Sequence, residues 1–124
     1  MSMLTLAFAV LVIAVLLGSV LFVMHLRNDP RSAARWRLAG LHGLVGIGGL
    51  VCLLFALHNP SLQPDPGTAG FGGISLVLIA LAALFGGGIF VARVANSRRA
   101  GALIGVHATI AISGFVILAA YVLV

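Results

Sequence analysis

The sequence MLTLAFAVLVIAVLLGSVLFVM, residues 3–24, contains no charged side chain and is long enough to cross a bilayer as one helix. The hydrocarbon core of a bilayer requires roughly 20 consecutive apolar residues of α-helix. Three further apolar runs of similar length follow, at about residues 38–57, 72–92 and 100–124. We therefore predict an all-α protein, a single integral membrane domain over residues 1–124 that is built as a four-transmembrane-helix bundle.

The composition indicates that lipid, rather than water, surrounds most of this protein. Of the 124 residues, 62% are hydrophobic and 7% are charged, whereas about a quarter of the residues of a soluble domain are charged. The net charge of +5 comes from arginines in two short segments beside the apolar runs. Such placement sets the topology of a membrane protein and does not form a nucleic-acid-binding face. We expect the lipid bilayer, and no nucleic acid, as a partner.

The connections between the apolar runs differ in charge. Residues 25–37 contain four arginines and residues 93–99 contain three, whereas the proline-rich loop at residues 59–67 contains none. Positively charged loops stay in the cytoplasm, so we expect a multi-pass protein with both termini and the proline-rich loop outside. The first run lacks the basic leader of a signal peptide, and we expect it to be retained. The many Arg, Ala and Gly residues and the absence of Lys favour a bacterial inner (cytoplasmic) membrane.

The chain aligns with itself as two copies of one helical hairpin. Residues 17–23 match residues 85–91 at a glycine and at a Phe-Val pair. Residues 40–51 match residues 105–116 at a Gly-x-His string and at a second glycine. Because each unit crosses the membrane twice, the copies have the same orientation and are related by an axis along the membrane normal. We predict two parallel-repeat hairpins.

The repeat places His42 and His107 at one depth. At 1.5 Å per residue, each lies about 9–12 Å below the cytoplasmic end of its helix. A polar side chain at that depth is costly and faces the bundle interior, where it marks a candidate site. Small or apolar residues share the helix faces of both histidines, and glycines of the first and third helices reach a similar depth. These residues are Ala39, Gly46 and Gly49; Ile104, Ala111 and Gly114; Gly18, Gly86, Gly87 and Gly88.

Two imidazoles at one depth, between helix faces that carry mostly small residues, predict a site for a flat macrocycle. Axial ligation of haem iron uses a neutral histidine on either face, and helix bundles hold such cofactors in their cores. We expect His42 and His107 to be the metal ligands, small residues to form the walls, and arginines to pair with the propionates at the cytoplasmic surface. The predicted cofactor-binding residues are His42, His107, Gly46, Gly49, Ala111, Gly114, Arg35, Arg37, Arg98 and Arg99.

With four spans and a histidine pair, the chain resembles the small four-helix membrane b-type cytochromes. The resemblance is architectural, because the shared string is no longer than Gly-x-His. Many members of that family carry two ligand pairs, whereas this chain has one repeated pair. The resemblance implies one haem b held by His42 and His107, one-electron transfer with quinone as a possible partner, and an electron-transfer or accessory subunit rather than a stand-alone enzyme.

Other interpretations of these residues stay open. Small residues in membrane helices often mediate close packing, and histidine can form hydrogen bonds between helices. The chain is alternatively a cofactor-free accessory subunit that packs against other membrane subunits or forms a homo-oligomer. A Mg-porphyrin needs one histidine per ring, so chlorophyll-type ligation is another alternative. No span contains a carboxylate, which argues against ion-coupled transport, and no Ser-His-Asp, His-Glu-x-x-His or P-loop pattern supports hydrolysis or nucleotide chemistry.

Overall fold

The computed structural model describes residues 2–27, 33–59, 69–95 and 100–123. Within these ranges the chain forms four α-helices: α1 (Met3–Leu26), α2 (Ala33–His58), α3 (Ala69–Val94) and α4 (Ala100–Leu123). Each helix is long and apolar enough to cross a membrane. The prediction of an all-α bundle of four transmembrane helices is confirmed, and the chain is a small multi-pass integral membrane protein.

The helices extend beyond the apolar runs that predicted them. Helix α2 begins at Ala33 rather than at residue 38, and it therefore includes Arg35 and Arg37. Arginine is tolerated there because its apolar stem can lie along the helix while the guanidinium reaches the headgroup region. Helix α1 begins next to Ser2, whose hydroxyl oxygen accepts a hydrogen bond of 3.0 Å from the backbone N–H of Thr5. This bond satisfies one of the free N–H groups at the helix start.

The four helices form two antiparallel hairpins. Helix α1 packs mainly against α2, and α3 mainly against α4. The hairpins meet along two seams, by which we mean lines of contact between neighbouring helices: α2 with α3, and α1 with α4. Helices α2 and α4, which carry the two histidines of the repeat, are therefore diagonally opposite each other across the bundle axis.

The buried positions repeat from one hairpin to the other. Those of α1 correspond to those of α3 at a constant displacement of 68 residues, and those of α2 correspond to those of α4 at 65 residues. The pairs are Leu4 and Gly72, Ala7 and Ser75, Leu11 and Ile79, Ala14 and Ala82, Gly49 and Gly114, Leu53 and Leu118, and Ala56 and Tyr121. Every buried residue in the described part of the chain has a buried counterpart. The predicted parallel repeat is therefore confirmed by the packing.

All of these buried residues lie in one half of the bundle. This packed half contains the N-terminal parts of α1 and α3 and the C-terminal parts of α2 and α4. The open half is the end nearer the two arginine-rich connections, and no described residue in it is buried. It comprises residues 15–27, 33–48, 83–95 and 100–113. The side chains of the bundle thus form a continuous core over only half of its length.

Glycine allows the two helices of each hairpin to approach closely in the packed half. A Cβ atom on Gly114 would lie 2.9 Å from the Cβ of Leu78 and 3.2 Å from the backbone nitrogen of Ile79. The hydroxyl of Ser75 donates a hydrogen bond of 2.9 Å to the Gly114 carbonyl at the same crossing. In the first hairpin, a Cβ on Gly49 would lie 2.7 Å from the side chain of Leu11. Both glycines therefore serve helix packing.

We expect Gly114→Ala to destabilise the protein by about 1–3 kcal/mol, the range typical of overpacked cores. The added methyl group meets the backbone of α3, which can yield only if the whole helix shifts. Unfolding by sodium dodecyl sulfate in mild-detergent micelles measures the change. Gly73→Ala is the matched control because it adds the same methyl group where no atom lies within 4 Å. Equal stability of the two variants would contradict this account of the crossing.

Candidate functional site

The structure brings the two predicted histidines together. His42 on α2 and His107 on α4 face each other with ring centroids 6.0 Å apart and ring planes at 86°. Both residues are half-buried, at the boundary between the packed half and the open half. Since their helices are diagonally opposite, the pair lies across the axis of the bundle rather than within one hairpin.

Each imidazole is oriented by a backbone carbonyl of the other helix in its own hairpin. His42 Nδ1 donates a hydrogen bond of 2.9 Å to the carbonyl of Ala14, and His107 Nδ1 donates one of 2.7 Å to that of Ala82. A carbonyl oxygen can only accept, so this partner assigns the proton to Nδ1 in both rings. In the neutral ring, Nε2 then carries a lone pair. The same outer bond typically fixes the tautomer and orientation of a metal-ligating histidine.

The Nε2 atoms of these rings have no hydrogen-bond partner among the residues that the structure describes. Both rings are half-buried rather than enclosed, and an acceptor without a donor costs free energy wherever it is shielded from water. The two rings cannot pair with each other while both are neutral, because each N–H is already committed to a carbonyl. A bound cation that accepts both lone pairs would satisfy the two rings at once.

Two equivalent glycines let the imidazoles lie against the neighbouring helices. A Cβ atom on Gly18 would lie 2.9 Å from Cε1 of His42, and a Cβ on Gly86 would lie 3.3 Å from Cε1 of His107. Each glycine is one helical turn beyond the carbonyl that accepts from the same ring. The ring is therefore held by a hydrogen bond and by close backbone contact over a single turn.

The four predicted wall residues divide into two groups. Gly49 and Gly114 are buried and contact the neighbouring helix of their own hairpins, so the structure places them in helix packing. Gly46 and Ala111 are half-buried, one turn from the histidines. A Cβ atom on Gly46 would have no atom within 4 Å. Space for a larger group is thus left at Gly46 rather than at the two buried glycines.

The predicted arginines lie toward the end of the open half. Arg35 is half-buried in the first turn of α2, and Arg37 is exposed. Arg98 and Arg99 lie outside the described residues, so their role remains a prediction. Arg93, which was not among the predicted site residues, is half-buried in the last turn of α3. With Arg27, which directly follows α1, four described arginines bring positive charge to this end of the bundle.

Sequence reasoning missed the two residues that orient the rings. Ala14 and Ala82 act through their backbone carbonyls. Every residue has a carbonyl, so the residue type does not indicate which carbonyl accepts the bond. The only available signal was the repeat, which pairs these alanines at the same displacement as Gly18 and Gly86. The glycines were expected at this depth, but nothing in the sequence indicated that they contact the imidazoles.

Neither a metal-binding cluster nor a known relative assigns a function to this site. No group of three or more His, Cys, Asp or Glu side chains that could hold a metal ion occurs in the described part of the chain. No family model matches the chain, and neither a curated protein nor a solved structure matches it. The function of this site must therefore be inferred from its own geometry.

Proposed function

We propose that this protein holds one haem b between His42 and His107 and carries single electrons within the membrane. The observation that carries the proposal is the pair of imidazoles on opposite helices, each with Nδ1 bonded to a carbonyl and with no partner for Nε2 among the described residues. A duplicated hairpin explains why histidine occurs at both position 42 and position 107. It does not explain why Nε2 of both rings is left without a partner among the described residues.

The separation of the rings is suited to axial ligation from two sides. With a metal–nitrogen bond of about 2 Å on each side, the centroids of two ligating imidazoles lie roughly 6 Å apart. The centroids of His42 and His107 are 6.0 Å apart. Haem iron uses axial ligands of this kind and takes its other four nitrogens from the macrocycle. A tetrahedral zinc site takes at least three protein ligands, and no such group is present among the described residues.

The open half supports the proposal because a close-packed interior is the norm in proteins. Here the histidine pair lies next to a stretch of four helices in which no described residue is buried. A macrocycle held on the bundle axis would give those helices a surface to pack against. Arg35, Arg37 and Arg93 would provide cations for its propionates at the arginine-rich end.

The residues of the chain have separate tasks in this proposal. His42 and His107 hold the cofactor, and the carbonyls of Ala14 and Ala82 fix the ring tautomers and increase the basicity of the ligands. The apolar helices exclude water, which is one of the ways in which proteins set a reduction potential. When bound, the haem supplies reversible one-electron oxidation and reduction. The electron partner is a quinone or a neighbouring membrane subunit.

The proposal includes the membrane in which the protein lies and its orientation there. Positive loops face the cytoplasm, so the arginine-rich end would face the cytoplasm of a bacterial inner membrane, with both termini outside. The cofactor would then lie nearer the cytoplasmic surface than the outer one. Labelling of a cysteine introduced at Ser2 or at Arg27 in a Cys52→Ala background, using a reagent that does not cross the membrane, tests the orientation. Labelling at Arg27 but not at Ser2 in intact cells would contradict it.

An absorption spectrum of the purified protein tests the cofactor directly. We expect a Soret band, split low-spin α and β bands after reduction, and one haem b per chain in the pyridine haemochrome assay. The pyridine spectrum also separates haem from a Mg-porphyrin. A folded but colourless protein from cells supplied with haem precursor would contradict the proposal. Co-purification of that colourless protein with a stoichiometric membrane partner would instead support the cofactor-free accessory subunit.

A further inference from the structure

The buried positions of α1 continue as a regular series into the open half. They follow one another in alternating steps of three and four residues, which keep them on one face of the helix, and they are Leu4, Ala7, Leu11 and Ala14. The next step of four residues reaches Gly18, the glycine that contacts the His42 ring. Two further steps reach Leu21 and then His25, in the last turn of the helix. His25 therefore lies on the inward face of α1.

The buried positions of the other three helices continue with the same steps. In α2 and α4 the series passes through the two histidines of the candidate site. In α3 it passes through Gly86, the glycine that contacts the His107 ring. At the arginine-rich end, the four series finish in one layer, which we call the end layer. Its residues are His25 in α1, Arg35 in α2, Arg93 in α3 and Ala100 in α4.

The inward faces are closed in the packed half and accessible in the open half. Every residue of the four series is buried in the packed half, whereas every residue of the same series is half-buried in the open half. An inward residue stays accessible only where the surrounding helices leave space around it. In the end layer, each residue is half-buried and the residue that follows it in the chain is exposed. The four residues of the end layer therefore face the bundle axis and line this space.

The end layer carries hydrogen-bond donors and no carboxylate. Three of its residues, His25, Arg35 and Arg93, have N–H groups, and each lies seven residues, or about 10 Å along its helix, from the level of the two imidazoles. The structure shows no hydrogen bond for either ring nitrogen of His25 within the residues that it describes. Helix α2 packs against both α1 and α3, so Arg35 lies between the other two donors around the end of the bundle.

We propose that His25, together with Arg35 and Arg93, binds the two carboxylates of the cofactor and makes the site selective for a porphyrin that carries both of them free on one edge. The inference rests on the proposed function, because it names the chemical class of ligand that the same site accepts. One carboxylate binds between His25 and Arg35, and the other binds between Arg35 and Arg93. His25 was not among the predicted cofactor-binding residues.

The carboxylates require these partners because the end layer is half-buried. A carboxylate loses hydration there, and hydrogen bonds from N–H donors compensate for the loss. The fork of an arginine matches the geometry of a carboxylate, and an imidazole N–H donates one bond. Since α4 contributes only Ala100, the donors lie on the α2 side of the axis. A chlorophyll-type pigment carries its carboxyl groups as esters and offers these donors no anion, so the end layer favours haem b.

A comparison of haem with its dimethyl ester isolates the contribution of the carboxylates, because the ester has the same iron and macrocycle. We expect His25→Ala to lower the affinity for haem about tenfold, the lower end of what a hydrogen bond to a charged group contributes. The affinity for the ester should not change. His25→Arg should retain the parent affinity for haem, since it places in α1 the residue that the repeat has in α3. Titration of the apoprotein in detergent micelles, followed at the Soret band, measures both affinities.

Arg27→Ala is the matched control, because Arg27 lies at the same end of α1 but is exposed and outside the inward series. Its loss should leave the ratio of the two affinities as it is in the parent protein. An equal loss of affinity for haem and for the ester in His25→Ala, or no loss for either, would show that His25 does not bind the carboxylates. A folded parent protein that binds neither compound would overturn the proposed function itself, and this assignment with it.

Discussion

Replacing either His42 or His107 with alanine is expected to remove the haem from the purified protein. Each ring supplies one of the two axial lone pairs, and the opposite imidazole cannot reach the vacated position because its Nδ1 is bonded to its own hairpin. Loss of an outer partner of a metal ligand typically lowers affinity by about 10–100-fold. Loss of the ligand itself should cost at least roughly 100-fold. The pyridine haemochrome assay measures haem per chain.

A stability measurement separates ligation from packing. Added haem should raise the resistance of the parent protein to sodium dodecyl sulfate, because a ligand that binds only the folded state stabilises it. It should have no such effect on His42→Ala or His107→Ala. His58→Ala is the matched control, because His58 is exposed at the opposite end of α2. If either site variant retained the haem content of the control, bis-histidine ligation would be wrong.

Alanine at Gly18 is expected to weaken haem binding more than alanine at Gly86. The new methyl group would lie 2.9 Å from Cε1 of His42 in the first case and 3.3 Å from Cε1 of His107 in the second. A contact below 3.0 Å requires the His42 ring or the helix to move, which strains the bond to the Ala14 carbonyl, whereas a shift of a few tenths of an ångström relieves the contact with His107. We expect a loss of about 10–100-fold for Gly18→Ala and a smaller one for Gly86→Ala.

Haem titration of the apoprotein, followed at the Soret band, measures the haem affinities of the two variants. Gly87→Ala and Gly43→Ala are matched controls, because a Cβ atom on either glycine would have no atom within 4 Å. One control lies next to Gly86 on α3 and the other next to His42 on α2. Binding that is unchanged in Gly18→Ala, or weakened equally in the controls, would show that the imidazoles are not held by close contact with the neighbouring helix.

These predictions follow from a site that is shared equally by two hairpins. The Gly18 contact and the Ala14 bond position His42, and the Gly86 contact and the Ala82 bond repeat the arrangement around His107. Neither hairpin alone offers two facing imidazoles. The cofactor would therefore link the two halves of the chain at the level where the side-chain core ends. Loss of haem should weaken the contact between the hairpins more than the contact within either one.

The sequence was sufficient to predict the four membrane-spanning helices, the repeat and the candidate histidine pair. Bilayer thickness imposes a length of about 20 apolar residues on each helix, so the four runs could be counted directly. Matching glycines and histidines then showed that the chain repeats. A repeat about an axis along the membrane normal keeps equivalent residues at one depth, which made His42 and His107 a candidate pair before any contact was known.

Only the tertiary structure decided which faces of the helices turn inward. In water, an apolar face marks the core, but in lipid the inward and outward faces are both apolar and the periodic signal is lost. For this reason the sequence could not separate Gly49 and Gly114, which pack helices, from Gly18 and Gly86, which contact the rings. It also could not reveal the carbonyls that orient His42 and His107. Those bonds depend on how the helices of each hairpin face each other, which side-chain identity alone does not specify.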